Sequence, residues 1–141
     1  MNNGCVVGTG VDLVENERMA DILARRGSRF KSKVFSADEQ SYCESKAFPS
    51  RHYAGRFAVK EAVTKAFGTG VGPHISWLDI EVVRDPDTGA PSVKLSPRAR
   101  KLAKARRAGD ILISLSHTKN YAVAHALLLG KTVARSRKNS T

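Results

Sequence analysis

A helical pattern that stops at a group of glycines runs through Arg56-Phe57-Ala58-Val59-Lys60-Glu61-Ala62-Val63-Thr64-Lys65-Ala66-Phe67-Gly68-Thr69-Gly70. Ser50 is placed to cap the start of this helix, and the glycines after Phe67 end it. At about 100° per residue, small apolar residues form one face: Ala58, Val59, Ala62, Val63 and Ala66. The opposite face collects the polar residues, with Phe57 lying among them: Lys60, Glu61, Thr64 and Lys65.

The polar face of this helix has two interpretations. Glu61 and Lys65 lie one helical turn apart, so their side chains point the same way. A solvent-exposed ion pair is the common case and contributes only ~0.3–0.5 kcal/mol. A carboxylate, a lysine and a glycine-rich turn in such proximity also suit a site for a metal, a phosphate and backbone amides. Partners elsewhere in the chain have to decide between the two.

Size and composition favour one soluble domain. The chain has 141 residues, enough for a modest core, and an ordinary apolar fraction of 41%. It has no run of about 18 apolar residues, and its start has no basic segment followed by an apolar stretch. We therefore expect neither a membrane span nor a secretion signal. Cys5 and Cys43 lack metal-ligand spacing, which predicts buried, unpaired thiols in a reducing cytoplasm.

A formal net charge of +11 is the most unusual feature of the composition. It predicts attraction to an acidic partner, and by itself leaves open whether that is nucleic acid, a phosphorylated ligand or an acidic protein. Part of the excess lies in the basic stretch from Lys131 to Lys138. We expect a single domain over residues 1–130 and a basic, disordered tail over residues 131–141.

Residues from Cys5 to Val14 alternate as those of a β-strand do. Gly8, Gly10 and Asp12 share one face of that strand. Two glycines weaken a strand and usually mark the close approach of another element. Asp12 is then either an ordinary polar residue at a strand end or a carboxylate presented into a cleft.

The remaining patterns predict further helices and strands. The helices are Asn16 to Arg25, capped by Asn16 and stopped by Gly27; a short one to about Lys46 after the capping box Ser36-Ala37-Asp38-Glu39; and Pro97 to Arg107. The strands are Trp77 to Arg84 and Ser92 to Leu95, joined by turn residues at 85–89, and Asp110 to Leu115 and Tyr121 to Leu129.

The turn of the last hairpin is Ser116-His117-Thr118-Lys119-Asn120. A lone histidine in a turn is usually an ordinary surface residue. His117, however, is flanked by two hydroxyls and a lysine, all able to donate hydrogen bonds to a phosphate. His125, inside the last strand, is interpreted as structural.

Three blocks in this order resemble the holo-acyl-carrier-protein synthase family of 4′-phosphopantetheinyl transferases. They are Gly8-Thr9-Gly10-Val11-Asp12-Leu13-Val14-Glu15 followed by Arg18; Gly55-Arg56-Phe57-Ala58-Val59-Lys60-Glu61-Ala62 through Lys65-Ala66-Phe67-Gly68-Thr69-Gly70; and Ser114-Leu115-Ser116-His117-Thr118-Lys119-Asn120-Tyr121-Ala122-Val123-Ala124. The match runs from about Val6 to Leu129, and the second block is the most specific. The resemblance implies an α+β fold in which a three-stranded antiparallel sheet packs against helices.

The resemblance also implies a reaction. Enzymes of this family move the 4′-phosphopantetheine arm of coenzyme A to a serine of apo-acyl carrier protein and release adenosine 3′,5′-bisphosphate, in support of fatty acid biosynthesis. By the family's pattern, Asp12 and Glu61 are ligands of Mg²⁺, which binds carboxylates and phosphate oxygens together. Glu61, directly or through metal-bound water, is also the candidate base for the serine. Lys65 matches the lysine that steadies the leaving or transferring phosphate.

Other positions are assigned to the two substrates by the same resemblance. The expected contacts to coenzyme A are Arg56, Gly68, Thr69, Gly70, His117 and Thr118, with Lys60 as a secondary candidate. Arg18 and Arg29 match positions that meet the acidic carrier protein, which gives the net charge a role in steering. The family usually forms a homotrimer with sites at subunit interfaces. Asp12 and Glu61 would then come from one protomer and His117 from its neighbour.

Two other functions use some of the same features. A metal-dependent nuclease or phosphohydrolase could place Asp12, Glu61 and His117 around Mg²⁺. A non-catalytic nucleic-acid-binding domain would rest on the net charge alone. The chain offers few aromatics for base stacking, and a hydrolase would not need the three ordered blocks. We therefore expect no nucleic acid and no membrane as partners.

Overall fold

The computed structural model of this chain describes residues 5–131. The strands are β1 (Val6–Glu15), β2 (Ile80–Arg84), β3 (Pro91–Leu95), β4 (Ala108–His117) and β5 (Tyr121–Gly130). The helices are α1 (Asn16–Val34), α2 (Ala37–Glu44), α3 (Pro49–Ala66) and α4 (Pro97–Ala105), with a 3₁₀ turn at Trp77–Asp79. Apart from Lys131, the predicted tail lies outside the described residues.

Three antiparallel strands form the main sheet, in the order β1-β5-β4, and β2 and β3 form a separate hairpin. The register places Asp12 opposite Ala124 and His117 opposite Ala122. The prediction of an α+β fold with a three-stranded antiparallel sheet is confirmed. β5 lies in the centre because it pairs with β1 on one side and with its hairpin partner β4 on the other.

Helix α3 packs against the sheet with almost no space at β1. A Cβ added to Gly8 would lie 1.9 Å from the carbonyl oxygen of Ala66, and one added to Gly10 would lie 1.9 Å from that of Ala62. Real Cβ atoms essentially never approach backbone oxygen so closely, so only glycine fits at these two positions. The predicted close approach at the strand glycines is confirmed, and the approaching element is α3.

The N-caps predicted for α1 and α3 are both wrong. Asn16 is the first residue of α1, and its side-chain amide instead donates to the carbonyls of Thr118 and Lys119, at 2.9 and 3.0 Å. Helix α3 already begins at Pro49, so Ser50 lies inside its first turn. The capping box of Ser36 and Glu39 at the start of α2 is present as predicted.

Gly27 breaks helix α1 as predicted, with φ 50° and ψ −132°, but the helix resumes and continues to Val34. The resumed turn carries Phe30 to the aromatic rings of Phe35 and Phe57. These contacts bury apolar surface. That burial stabilises the helical residues after Gly27, which no capping residue in the sequence predicts.

The expectation that Lys60 lies on an exposed polar face is wrong. Lys60 is fully buried, with its Nζ 2.7 Å from Oε1 of Glu39, whose side chain is also buried. The same ammonium donates to the carbonyls of Trp77 and Ile80, at 3.0 and 2.6 Å. Thr64 is buried too. Helix α3 is enclosed on more sides than its periodicity suggests because α2 and β2 also pack on it.

The two cysteines differ. Cys43 is a buried free thiol as expected, whereas Cys5 is exposed, so the prediction of burial is wrong for Cys5. Among residues 5–131, no helix is both long enough and apolar enough to cross a membrane.

Candidate active site

Asp12 and Lys65 meet although they are 53 residues apart along the chain. Nζ of Lys65 lies 3.0 Å from Oδ1 of Asp12 and donates to the carbonyl of Val11 at 3.1 Å. The close packing of α3 on β1 brings them together, because the glycines let the helix backbone reach the strand. Asp12 is the more enclosed partner, with 16% of its side chain exposed against 49% for Lys65.

Asp12 and Glu61 line a common cavity of about 320 Å³ beside α1. Oε1 of Glu61 accepts a hydrogen bond from Nε1 of Trp77 at 2.9 Å. Two carboxylates facing one cavity form a donor set suited to Mg²⁺, which takes one or two protein carboxylates and completes its shell with water and phosphate oxygens. Residues 5–131 hold no group of three or more histidine, cysteine or acidic side chains that could bind a metal alone.

A second cavity, of about 390 Å³, is strongly basic. Its cationic and imidazole side chains are Lys46, Arg51, His52, Arg56, Arg84 and His117. The guanidinium of Arg56 lies 3.8 Å from the centre of the Tyr42 ring, and its buried Nε finds no hydrogen-bond partner in the described part of the chain. A buried donor without a partner costs free energy unless a ligand accepts from it. The cavity therefore suits an anion, and it is lined by Arg56 and His117, two of the coenzyme contacts that the resemblance implies.

His52 and His117 face each other in this basic cavity, with ring centroids 5.7 Å apart. Burial lowers the pKa of His52, and the nearby charges of His117, Arg56, Lys46 and Arg84 lower it further. His52 is therefore neutral near pH 7, where one ring nitrogen donates and the other accepts. Helical periodicity does not single out His52. Only its contact with His117, the last residue of β4, reveals it as part of this cavity.

The other expected coenzyme contacts lie outside the basic cavity. Gly68, Thr69 and Gly70 form the turn after α3, with positive φ at both glycines, and line neither cavity. Oγ1 of Thr118 accepts from the backbone N–H groups of Asn120 and Tyr121 and so closes the hairpin turn. Lys60 is enclosed with Glu39 and lines neither cavity, so we do not retain it as a coenzyme contact.

Arg18 connects the carboxylate cavity with a basic groove on α1. It lines both, and the groove also contains Arg25, Arg26, one acidic residue, Asp21, and the partly buried ring of Phe30. Arg29 is exposed on the same helix but does not line the groove. An acidic partner seated in this groove would lie next to Asp12 and Glu61.

Comparison with known proteins identifies the family of this chain. Residues 8–126 match the 4′-phosphopantetheinyl transferase superfamily. A holo-[acyl-carrier-protein] synthase of Protochlamydia amoebophila is 44% identical over 86% of this chain and 96% of its own length. One from Ruminiclostridium cellulolyticum is 42% identical over 84% of this chain and 89% of its own length. The chain belongs to the holo-acyl-carrier-protein synthase family of 4′-phosphopantetheinyl transferases.

Solved structures of other family members show the same fold. The holo-[acyl-carrier-protein] synthase of Neisseria meningitidis has a TM-score of 0.82 at 25% identity, over 88% of this chain and 98% of that one. The Helicobacter pylori enzyme, solved in complex with coenzyme A, has a TM-score of 0.75 at 30% identity, over 85% of this chain and 98% of that one. Membership of this family makes the chain a phosphopantetheinyl transferase and disfavours the nuclease and nucleic-acid-binding alternatives.

Proposed function

We propose that this transferase moves the 4′-phosphopantetheine arm of coenzyme A to a serine of apo-acyl carrier protein, in the cytoplasm and in support of fatty acid biosynthesis. One observation carries the proposal: Asp12 and Glu61, from separate parts of the chain, line one cavity, and Lys65 is bonded to Asp12. Two carboxylates and a lysine are the groups needed to hold a cation and a diphosphate together.

The bonds that change define what the site must do. The serine Oγ forms a bond to the β-phosphorus of coenzyme A, the bond from that phosphorus to adenosine 3′,5′-bisphosphate breaks, and the serine proton passes to Glu61. Mg²⁺ held by Asp12 and Glu61 would, when bound, neutralise charge on the diphosphate. Lys65, anchored at Asp12, steadies the phosphate that leaves.

The basic cavity supports a place for the phosphates of the adenosine end of coenzyme A. Arg56, whose buried Nε has no hydrogen-bond partner among the described residues, and the exposed His117 both line it. These two residues line a different cavity from Asp12 and Glu61. The resemblance implies that His117 meets the coenzyme from a neighbouring protomer, so we propose the homotrimer that it implies, with coenzyme A at a subunit interface.

The groove on α1 supports docking of an acidic carrier protein beside the site, with Arg18 at the junction. Arg18→Glu is expected to raise the KM for carrier protein more than the KM for coenzyme A, because the reversed charge repels the acidic carrier from the groove. Steady-state kinetics with each substrate varied in turn provide the measurement. Equal changes in both KM values would remove the carrier-specific role.

The transfer itself is tested by incubating the protein with coenzyme A, Mg²⁺ and apo-acyl carrier protein and weighing the carrier by mass spectrometry. We expect a gain of one phosphopantetheine per carrier. Glu61→Gln should abolish the gain, whereas Glu81→Gln, the same change on β2, should not. An unmodified carrier beside an active reference enzyme would reject the proposal, since a hydrolase or a binding domain also leaves the carrier unchanged.

A further inference from the structure

The chain has one tryptophan, and its indole bonds directly to the proposed metal ligand. Nε1 of Trp77 donates to Oε1 of Glu61 at 2.9 Å. An indole N–H can only donate, so its partner must be an acceptor. Here the acceptor is one of the two carboxylate oxygens, Oε1. Oε2 of Glu61 remains for another partner.

The ring of Trp77 is itself held in place. It stacks on Phe57, with ring centroids 6.3 Å apart and an interplanar angle of 29°. Phe57 lines the cavity that Asp12 and Glu61 share, so Trp77 packs on a residue of the cavity wall without lining the cavity itself. Phe57 is an apolar residue on the otherwise polar face of α3, and its contact with Trp77 explains its position there.

The backbone of Trp77 is anchored by the buried ion pair. Its carbonyl accepts from Nζ of Lys60 at 3.0 Å, and that ammonium lies 2.7 Å from Oε1 of Glu39. Lys60 directly precedes Glu61 on α3. Two consecutive residues of α3 therefore hold Trp77: Lys60 binds its main-chain carbonyl, and Glu61 binds its indole N–H.

We propose that Trp77 is a positioning residue for Glu61: its indole N–H holds Oε1, so that Oε2 is the oxygen presented to the cation and the incoming serine. This inference rests on the proposed function. A carboxylate held by such a bond loses less conformational freedom when a cation binds, and removing an outer partner of a metal ligand typically weakens metal affinity about 10- to 100-fold.

The first test measures metal affinity without turnover. Trp77→Phe keeps an aromatic ring and removes the N–H, and Mn²⁺ binding is followed by isothermal titration calorimetry with adenosine 3′,5′-bisphosphate present. We expect affinity about 10-fold or more below that of the unaltered protein. Leu78→Ala, in the same 3₁₀ turn but exposed, is the matched control and should bind Mn²⁺ normally. Normal affinity in Trp77→Phe would overturn the inference.

The second test keeps the shape of the side chain. Because Trp77 is the chain's one tryptophan, growth on β-(3-benzothienyl)alanine replaces it alone with a ring system of similar size that has sulfur in place of N–H. We expect the same loss of Mn²⁺ affinity and a lower kcat, with the KM for coenzyme A little changed. If the substituted protein binds Mn²⁺ like the unaltered one, the N–H has no positioning role. This replacement decides the question if Trp77→Phe fails to fold.

A spectroscopic signature separates positioning from packing. The single indole N–H resonance of ¹⁵N-labelled protein should shift when Mg²⁺ is added, and the shift should disappear in Glu61→Gln. An indole resonance that ignores Mg²⁺, in protein that transfers phosphopantetheine normally, would overturn this inference and leave the proposed function intact. Failure of transfer in the unaltered protein would instead reject the proposed function.

Discussion

Single glycines decide how closely α3 approaches β1. A Cβ at position 10 would lie 1.9 Å from the carbonyl oxygen of Ala62, so Gly10→Ala must push helix and strand apart. We expect a loss of about 3 kcal/mol or more in the free energy of unfolding, at the upper end of overpacking effects. Denaturant unfolding measures it.

The matched control for this change is Gly72→Ala. Gly72 is exposed, and an added Cβ there would meet nothing within 4 Å. Its replacement should alter the free energy of unfolding by less than about 0.5 kcal/mol or stabilise slightly. Equal losses in the two variants would mean that the contact with Ala62 is not the cause.

The lowered pKa of His52 predicts that the folded protein loses stability in mild acid. Burial and neighbouring positive charge hold its pKa below the ordinary value of 6.5, so the unfolded chain binds the proton more readily than the folded one. Stability from this group is therefore complete above pH 6.5 and declines as the pH falls from there toward the lowered pKa. Urea unfolding of ligand-free protein between pH 7.5 and 5.5 should show this decline, and His52→Gln should reduce it.

The exposed His74, on the loop after α3, is the comparison for this titration. His74→Gln should leave the decline with pH unchanged, because His74 lies outside the basic cavity. If His52→Gln and His74→Gln behave alike, the basic cavity does not govern the pH dependence.

Local patterns mark the positions of the candidate site, whereas the resemblance to the family assigns their roles. Asp12 follows two glycines on a strand face, and Glu61 and Lys65 lie one turn apart on a helix. Lys60 was mistaken because helical periodicity assigns a face but not what packs against it. Trp77 was missed because no spacing rule joins a turn to a carboxylate on another element.

The buried ion pair joins three elements. Glu39 of α2 bonds to Lys60 of α3, and its Oε2 accepts from the backbone N–H of Val82 on β2 at 2.9 Å. Lys60→Met would leave a buried carboxylate without its cation, at a cost of about 3–5 kcal/mol. Lys60→Met combined with Glu39→Gln should recover part of that loss. Denaturant unfolding of both singles and the double measures the coupling.

A surface pair of nearly equal length supplies the contrast. Nζ of Lys31 lies 2.6 Å from Oε1 of Glu44, with 27% and 48% of the side chains exposed. Lys31→Met should cost only about 1 kcal/mol or less, since water screens this pair. Similar costs for Lys31→Met and Lys60→Met would contradict the role of burial.

Whole elements were predicted best where turn chemistry marks their ends. The hairpins β2–β3 and β4–β5 appear where expected, and the capping box starts α2. Trp77–Asp79 forms a 3₁₀ turn instead of the beginning of a strand, because the side chain of Asp79 caps the turn at Ser76. Local hydrogen bonds there override the alternating pattern.

The molecule as a whole leaves a group of large apolar side chains exposed on one face of its main sheet. By strand register the residues on the side away from α3 include Val11, Leu13, Leu112, Tyr121 and Val123, each at least 37% exposed. Such a surface is typical of an interface between subunits. It supports the proposed homotrimer, whose neighbouring protomers would cover it.

Val11→Lys tests that assembly. A lysine in the middle of the apolar face should shift the protein from trimer to monomer, because a buried charge without a partner opposes association. Sedimentation equilibrium measures the mass, and far-ultraviolet circular dichroism checks that the fold is kept. Leu78→Lys, at an exposed apolar position outside the sheet, should leave the mass unchanged. A trimer that survives Val11→Lys would place the interface elsewhere.

The unequal burial of the two cysteines makes the native chain suitable for selective labelling. Burial raises the pKa of the Cys43 thiol to about 12, so it holds almost no thiolate at neutral pH, whereas Cys5, directly before β1, is exposed. A maleimide dye should therefore attach at Cys5 alone. With the chain's one indole as energy donor, carrier docking and subunit exchange could then be followed by resonance energy transfer without engineering a residue.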